Sequence, residues 1–226
     1  MSAQTGRRLP RGLFSIAFAG VAFLSVSCGS SGQTADADAT TNTPETLQSS
    51  EAPTVPDGAG VVLVDLDDAG EVATWTTVND PVMGGKSAST ITFGDGALVF
   101  SGTISLDNNG GFASARSPQD PDMGRKAAAA TSLRVHARGD GKTYLLKVGT
   151  EGQPWSYVQR FPTEAGVQRI YDLPVGGFEP VGMRLDPAPD APQKLDPSTI
   201  DEVAVYILDK QQGPFEISVS TIDATS

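Results

Sequence analysis

The chain has 226 residues, a formal charge of −11 and a single cysteine, Cys28. That length gives one domain room to bury roughly 70% of its unfolded surface. The negative charge, with no cluster of Lys or Arg, argues against nucleic acid and against an anionic membrane surface as partners. One cysteine and one histidine, His136, leave disulfides, thiolate metal sites and transition-metal sites without ligands to draw on.

The N-terminus reads as a signal peptide over residues 1–27. Arg7, Arg8 and Arg11 precede an uncharged apolar run over 13–26, too short to span a bilayer, which takes about 20 apolar residues. Leu24-Ser25-Val26-Ser27-Cys28 is similar to a bacterial lipobox, in which the cysteine is lipidated and becomes the new N-terminus. It departs from that pattern in one place: Ser25 stands three before the cysteine, and the aliphatic Leu24 lies one further back. Lipidation at Cys28 is therefore expected, with simple secretion or an uncleaved anchor as the alternatives. The expected location is the extracytoplasmic face of the cell membrane, with the lipid as the only membrane contact. Loss of the three arginines would take the charge from −11 to about −14.

Residues 28–60 are Ser, Thr, Ala, Gln, Asp, Pro and Gly with almost no large apolar side chain. Such a stretch cannot bury enough surface to offset the entropy of ordering it, and is expected to be a tether. About 30 flexible residues reach on the order of 30 Å, enough to hold a domain clear of lipid headgroups.

From residue 61 to 226, short runs rich in β-branched and aromatic residues recur between Gly, Asp, Asn and Pro clusters, the pattern of an all-β domain. The predicted strands are 61–66, 72–78, 87–93, 133–137, 144–148, 155–161, 168–173, 203–208 and 215–222. Asp95-Gly96 and Asp140-Gly141 each lie between two such runs and are expected to be tight hairpins, because Asp-Gly tolerates the positive φ these turns need. Asn108-Asn109-Gly110-Gly111 is a third turn of this kind. Alternation points Leu133, Val135 and Ala137 inward and Arg134, His136 and Arg138 to the opposite face. Weak helical signals occur at 125–130 and after Asp196-Pro197-Ser198. A two-sheet sandwich is the default architecture for such a chain.

Four blocks carry a resemblance. The run from Trp75 through Asn79-Asp80-Pro81-Val82-Met83-Gly84-Gly85 to Ser87, and the run from Ser105 through Asn108-Asn109-Gly110-Gly111 to Ser117, are similar to the two signature blocks of the complex I intermediate-associated protein 30 family. Arg138-Gly139-Asp140-Gly141-Lys142-Thr143-Tyr144 resembles its central hairpin, and Asp209-Lys210-Gln211-Gln212-Gly213-Pro214-Phe215 its C-terminal element. Together they span nearly all of 70–224. The resemblance implies a galactose-binding-like jelly-roll β-sandwich, a fold shared with many carbohydrate-binding modules. The family's mitochondrial namesake assists respiratory complex I assembly and is not known as an enzyme; that role transfers poorly to an exported protein, and the family carries no catalytic residues to move across. No cofactor is expected.

The candidate contacts fall into groups, each with a structural alternative. Asn79 and Asp80 sit beside glycines that let a backbone approach closely, as in a ligand loop or simply a turn. Asn108 and Asn109 carry amides that could orient a sugar, or only make a turn. Arg116 could hold an anion or pair with an acid such as Asp80. Tyr144, Trp155, Tyr157 and Gln159, with Arg134 and Arg138, could form a polar and aromatic groove on the concave sheet face; the alternative is that the rings are core, which is the expectation for Phe161. Lys210, in the last block, is a further candidate. His136 has no serine partner marked for it, and Asp65, Asp67 and Asp68 make no recognised calcium loop. Arg138-Gly139-Asp140 is the adhesion tripeptide of some extracellular proteins, but turn chemistry explains it more simply. The expected function is thus non-catalytic: an envelope-tethered binding or assembly-accessory module for a protein or glycan. A dedicated carbohydrate-binding module or a glycan-acting envelope enzyme is the alternative.

Overall fold

Strands with apolar side chains at every second position bury one face, and two such sheets stacked face to face satisfy each other. The computed structural model, which describes residues 60–226, contains two of them. The signal peptide expected over 1–27, Cys28 and the expected tether as far as residue 59 lie outside the described residues.

The first sheet comprises β1 (Val61–Asp65), β3 (Ala88–Gly94), β4 (Ala97–Ile104), β6 (Ser132–Arg138), β9 (Gln168–Pro174) and β12 (Gly213–Thr225). Its order is β3-β4-β12-β6-β9, with β1 pairing β12 beyond the end of β4. The second comprises β2 (Thr76–Asn79), β5 (Ala113–Arg116), β7 (Thr143–Thr150), β8 (Ser156–Pro162), β10 (Glu179–Val181) and β11 (Ile200–Ile207), in the order β10-β8-β7-β11-β5-β2. All these strand pairings are antiparallel. The chain passes repeatedly from one sheet to the other, and the fold is the all-β jelly-roll sandwich that the resemblance implied.

Parity fills the space between the sheets. Leu98, Phe100, Leu133, Val135, Ile217 and Val219 from the first sheet meet Tyr144, Leu146, Val148, Phe161, Val203 and Val205 from the second, all essentially without solvent exposure. Each contributes about 1.5–3 kcal/mol relative to an exposed side chain, the smaller ones less. Tyr144, Phe161 and Tyr171 form a ring ladder, with centroid separations of 6.2 and 5.2 Å.

The turns divide according to what their strands can pair with. Asp95 and Gly96, at φ 52° and 67°, close a two-residue hairpin between β3 and β4, as expected. Asp140-Gly141 does not close one, because β6 pairs with β12 and β9 while β7 pairs with β8 and β11. The same chemistry, a Gly141 at φ 91° beside a carboxylate that accepts from Lys142 N, Tyr144 Oη and Glu216 N, carries the chain between sheets instead. Asn108 and Asn109, at φ 56° and 60°, turn as predicted, but they likewise join β4 to β5 across the sandwich.

The strand expected over 72–78 begins only at Thr76. Asp68 caps a short helix α1 (Ala69–Val72) by accepting from Glu71 N at 2.8 Å, and this side-chain bond outcompetes extension for the first part of the run. The two weak helical signals become α2 (Asp122–Ala127) and a single turn at Pro197–Thr199 capped by Asp196.

Candidate functional site

The four central strands of the second sheet present one alternate set of side chains away from the core. Cross-strand register sets them in two rows: Val158, Lys147, Ala204 and Arg116 in one, Arg160, Leu145, Tyr206 and Ser114 in the next. Leu145, Val158, Val181, Ala204 and Tyr206 form a second apolar cluster there, against which Phe112, Leu185 and Leu208 pack. The cluster is screened by segment 182–195, which leaves β10 and turns back through Gly182 N to Asp186 O (2.8 Å) and Ala188 N to Pro180 O (3.1 Å). Its far end is pinned by Tyr157 Oη donating to the Pro192 carbonyl at 2.9 Å. Leu185 reaches over the sheet from a left-handed backbone, φ 62°, a conformation rare for a bulky residue.

Two adjoining clefts share Leu185 and Leu208. One, of about 450 Å³, lies between Arg160, Val181 and the Pro187–Pro189 stretch. The other, of about 570 Å³, is lined by Asn109, Phe112, Arg116, Tyr206 and Lys210 and is rimmed by Met183 and Arg184. Both volumes are within the range of about 300–1,000 Å³ usual for ligand sites. Arg116 lies 5.3 Å from the Tyr206 ring centroid and donates from Nε to Ser114 Oγ at 3.1 Å; Phe112 stacks on Tyr206 at 6.4 Å. Burial pushes the Tyr206 phenol above its ordinary value and draws the Lys147 ammonium below its own. Arg160 is held by Asp209 through two hydrogen bonds of 2.8 and 3.0 Å.

Of the twelve candidate contacts, Asn109, Arg116 and Lys210 come together on the larger cleft. The others lie elsewhere. Asp80 is buried with a saturated carboxylate: it accepts from Ser87 N (2.7 Å), Ser87 Oγ, Gly111 N (2.6 Å) and Phe112 N (3.3 Å). Among the described residues it pairs with no arginine, Arg116 included. Asn79 hydrogen-bonds Ser89 at 2.7 Å, and Asn108 donates to the Gly84 carbonyl at 3.1 Å. Arg134 is buried against Asp223, and Arg138 lies on the other sheet beside Asp95 and Gln168.

Tyr144 and Tyr157 are core, and Trp155 packs against the core half-buried. The groove expected from these rings is not where they point. Trp155, Tyr157, Gln159 and Phe161 do share a parity, but it faces inward, and the outward set on the same strand is Ser156, Val158 and Arg160. Period two assigns residues to faces without saying which face is inside, and here the outer face is apolar enough to mislead. The residues on the outward side of this sheet, Lys147, Arg160 and the buried Tyr206, and Leu185 that packs over it, carry no signal in the sequence that marks them as a site. Tyr206 is legible only as the alternate of Val203, Val205 and Ile207; Leu185 lies in a Pro- and Asp-rich loop with no periodic signal.

Gln159 is turned inward with Oε1 buried and unpartnered among the described residues. Its replacement by Met is expected to stabilise the full chain by about 1 kcal/mol, because an unsatisfied buried acceptor costs more than an apolar isostere. Thermal unfolding would show a rise of about 2–4 °C; an unchanged or lower midpoint would mean that the amide is satisfied.

No described constellation supports nucleophilic catalysis through His136. Its Nε2 hydrogen-bonds Asp223 at 2.7 Å, and among the described residues no serine or threonine hydroxyl bonds the ring. Asp65 and Asp68 accept from nearby backbone N–H groups, and no cluster of three or more metal-ligating side chains occurs among the described residues.

The model of the family described as complex I intermediate-associated protein 30 matches residues 64–219. The chain belongs to this family. The structure gives physical roles to the blocks that characterise the complex I intermediate-associated protein 30 resemblance. Asp80 of the first block ties together the two signature loops, and Gly85 and Gly110 are small because a Cβ at either would fall 2.4 or 2.7 Å from an Asp80 oxygen. In the last block, the Gln211 amide imitates a strand neighbour, with Oε1 accepting from Thr143 N (2.9 Å) and Nε2 donating to Thr143 O (2.7 Å).

No curated protein sequence matches the chain. Among solved structures it is similar to the family 11 carbohydrate-binding module of a cellulosomal cellulase of Clostridium thermocellum, at 15% identity over 74% of this chain and 95% of that one, with a TM-score of 0.54. It is also similar to the family 11 module from Clostridium thermocellum in complex with a β-1,3-1,4-mixed-linked tetrasaccharide, at 16% identity over 72% and 95%, with a TM-score of 0.51. At such identities the likeness is one of fold.

Proposed function

We propose that this chain is a non-catalytic binding module, exported and held at the extracytoplasmic face by a lipid on Cys28, that binds an extended glycan on the outer face of the second sheet. The carrying observation is the pair of adjoining clefts that meet at Leu185 and Leu208 over the second sheet, the larger lined by aromatic, apolar and charged side chains. The sandwich shared with a tetrasaccharide-binding module supports this reading. So does the lining of the larger cleft, whose one acid, Asp209, is bound through both oxygens to Arg160, whereas glycoside hydrolysis uses a pair of acids. No cofactor enters the proposal, and nucleic acid is not a partner.

A second reading takes a protein as the ligand, in keeping with the family's description. Met183, 91% exposed at the cleft rim, favours it, because a large flexible apolar side chain in the open commonly marks an interface.

Retention of the full chain, solubilised in detergent, on immobilised envelope and plant polysaccharides tests the glycan reading. Binding to at least one polymer without release of reducing ends is expected, weakened when Tyr206 is replaced by Ala. Reducing ends released from a bound polymer would replace the module by an enzyme. Mass spectrometry of the mature N-terminus should find a diacylated Cys28; an unmodified or differently cleaved terminus would remove the anchor from the proposal.

A further inference from the structure

Charge on the larger cleft runs against the charge of the molecule. The chain carries −11 overall, yet the cleft is lined by Arg116, Arg184 and Lys210 against a single acid, Asp209, whose two carboxylate oxygens are already engaged by Arg160. Among the described residues, Arg116, Arg184 and Lys210 have no carboxylate within 4 Å, as is true also of Arg138, Lys142, Lys147 and Lys194, whereas Lys86, Arg125, Lys126, Arg134, Arg160 and Arg169 each have one. What distinguishes the cleft is that three such cations line one cavity with a single acid, itself already engaged.

Arg116 is also fixed in place. Ser114, fully buried on the same strand, donates Oγ to the Val78 carbonyl at 2.8 Å and accepts from Arg116 Nε at 3.1 Å. That chain of bonds, with the Tyr206 ring under the guanidinium, holds the side chain and leaves its terminal nitrogens without a partner among the described residues. A planar fork presented in this way matches a carboxylate bidentately, which a lysine cannot do. The half-buried Phe112 and Leu185, backed by the buried Tyr206, offer apolar surface to a sugar ring, and the Asn109 amide lines the cleft for hydroxyl groups.

We infer that the glycan held in this cleft is acidic, a polysaccharide whose sugars carry carboxylates, with Arg116 and Arg184 as the carboxylate contacts and Lys210 as a third positive charge. The inference rests on the proposed glycan-binding function and goes beyond it by naming the substrate class. The acidic remainder of the surface does not prevent it. Exposed charges more than about 8 Å away are largely screened at physiological ionic strength, while contacts inside the cleft are not.

Isothermal titration of the full chain with oligomers of polygalacturonate, at 0.15 M salt, reads the inference. A neutral mixed-linked β-glucan oligosaccharide and a glutamate oligomer serve as the comparison ligands. The acidic oligosaccharide should bind at least tenfold more tightly than either. Replacing Arg116 or Arg184 by Ala should each cost about tenfold, and Lys210→Ala less, since a guanidinium can hold a carboxylate by two hydrogen bonds and an ammonium acts as a point charge. Arg116→Lys should recover little of the loss, and Ser114→Ala, which removes the positioning hydroxyl, should weaken the acidic ligand selectively. Arg184 is exposed, so Arg184→Ala tests the site even where an Arg116 variant folds poorly. Equal or tighter binding of the neutral oligosaccharide would overturn the acidic assignment and leave the glycan module standing. Equal binding of the glutamate oligomer would overturn it in favour of a protein ligand. Polygalacturonate affinity unmoved by both arginine variants would overturn the placement, and failure of both oligosaccharides to bind would overturn the inference and the function together.

Discussion

Replacing Asp80 by Ala is expected to lower the stability of the sandwich by about 3–5 kcal/mol, the cost of removing a buried acceptor from several donors at once. The carboxylate takes hydrogen bonds from Ser87, Gly111 and Phe112, two loops that the sequence separates by more than twenty residues. Without it, the N–H groups of Ser87, Gly111 and Phe112 lose their acceptor beside a fully buried Ala113. The thermal midpoint should fall by about 10 °C or more. Asn at position 80 keeps one acceptor oxygen and should lose less. A midpoint within 2 °C of the unmodified chain for Asp80→Ala would show that these loops are held by something other than Asp80.

The same residue makes a pH prediction. Burial alone would raise the Asp80 carboxyl, but the Ser87 hydroxyl and the Gly111, Ser87 and Phe112 N–H groups outweigh it and hold the group below the usual carboxylate range. A depressed folded-state pKa contributes stability that is complete above the unfolded value, about 3.9, and is lost as pH falls toward the folded one. The difference in stability between the unmodified chain and Asp80→Asn should therefore be constant from pH 7 to about 5 and shrink below about 4. A difference independent of pH down to 3 would remove ionisation from the account of Asp80.

The sandwich was legible because its strands alternate cleanly: Leu133, Val135 and Ala137, or Val203, Val205 and Ile207, can be buried together only on one face of a sheet. Most turns were legible for the same local reason, since Asp-Gly and Asn-Asn-Gly carry their own dihedral preferences. What those turns connect was not, because a residue pair that tolerates positive φ serves equally to close a hairpin and to cross between sheets. Gly141 and Gly96 look alike in sequence and differ only in the partners their strands find later in the chain. The site follows this division. Arg116 and Lys210 could be singled out as charges next to turns, but the cleft they share depends on β11 bringing Tyr206 beside β5, and on segment 182–195 folding back over the sheet. Neither event leaves a periodic trace. Asp80 misled in the opposite sense, because an acid among glycines suggests a ligand loop when the glycines are there to make room for the acid itself.

On the first sheet, Asp223→Ala is expected to cost about 3–5 kcal/mol, the cost of breaking a buried ion pair from one side. Asp223 is 4% exposed and accepts from Arg134 Nε at 2.7 Å, Arg134 Nη2 at 3.2 Å and His136 Nε2 at 2.7 Å. Truncation takes a buried carboxylate from a guanidinium that is itself 9% exposed and from the His136 ring, and breaking a buried ion pair costs more than the pair stabilises. The arrangement sits where register needs specifying. β12 pairs with β6 along one side and with β4 and then β1 along the other, and its ladder with β6 is interrupted between Val219 and Thr221. Beyond that interruption Asp223 stands directly opposite Arg134, so the ion pair is satisfied in one register and broken by a slip of one residue. A double replacement, Arg134→Met with Asp223→Leu, should therefore recover most of the stability lost in Asp223→Ala, since neither charge then remains to be desolvated. Denaturant midpoints for the two single variants and the double variant measure the coupling. Additive losses, with the double variant as unstable as the sum of the singles, would mean that Asp223 and Arg134 stabilise the sheet independently and that register is set elsewhere along β12.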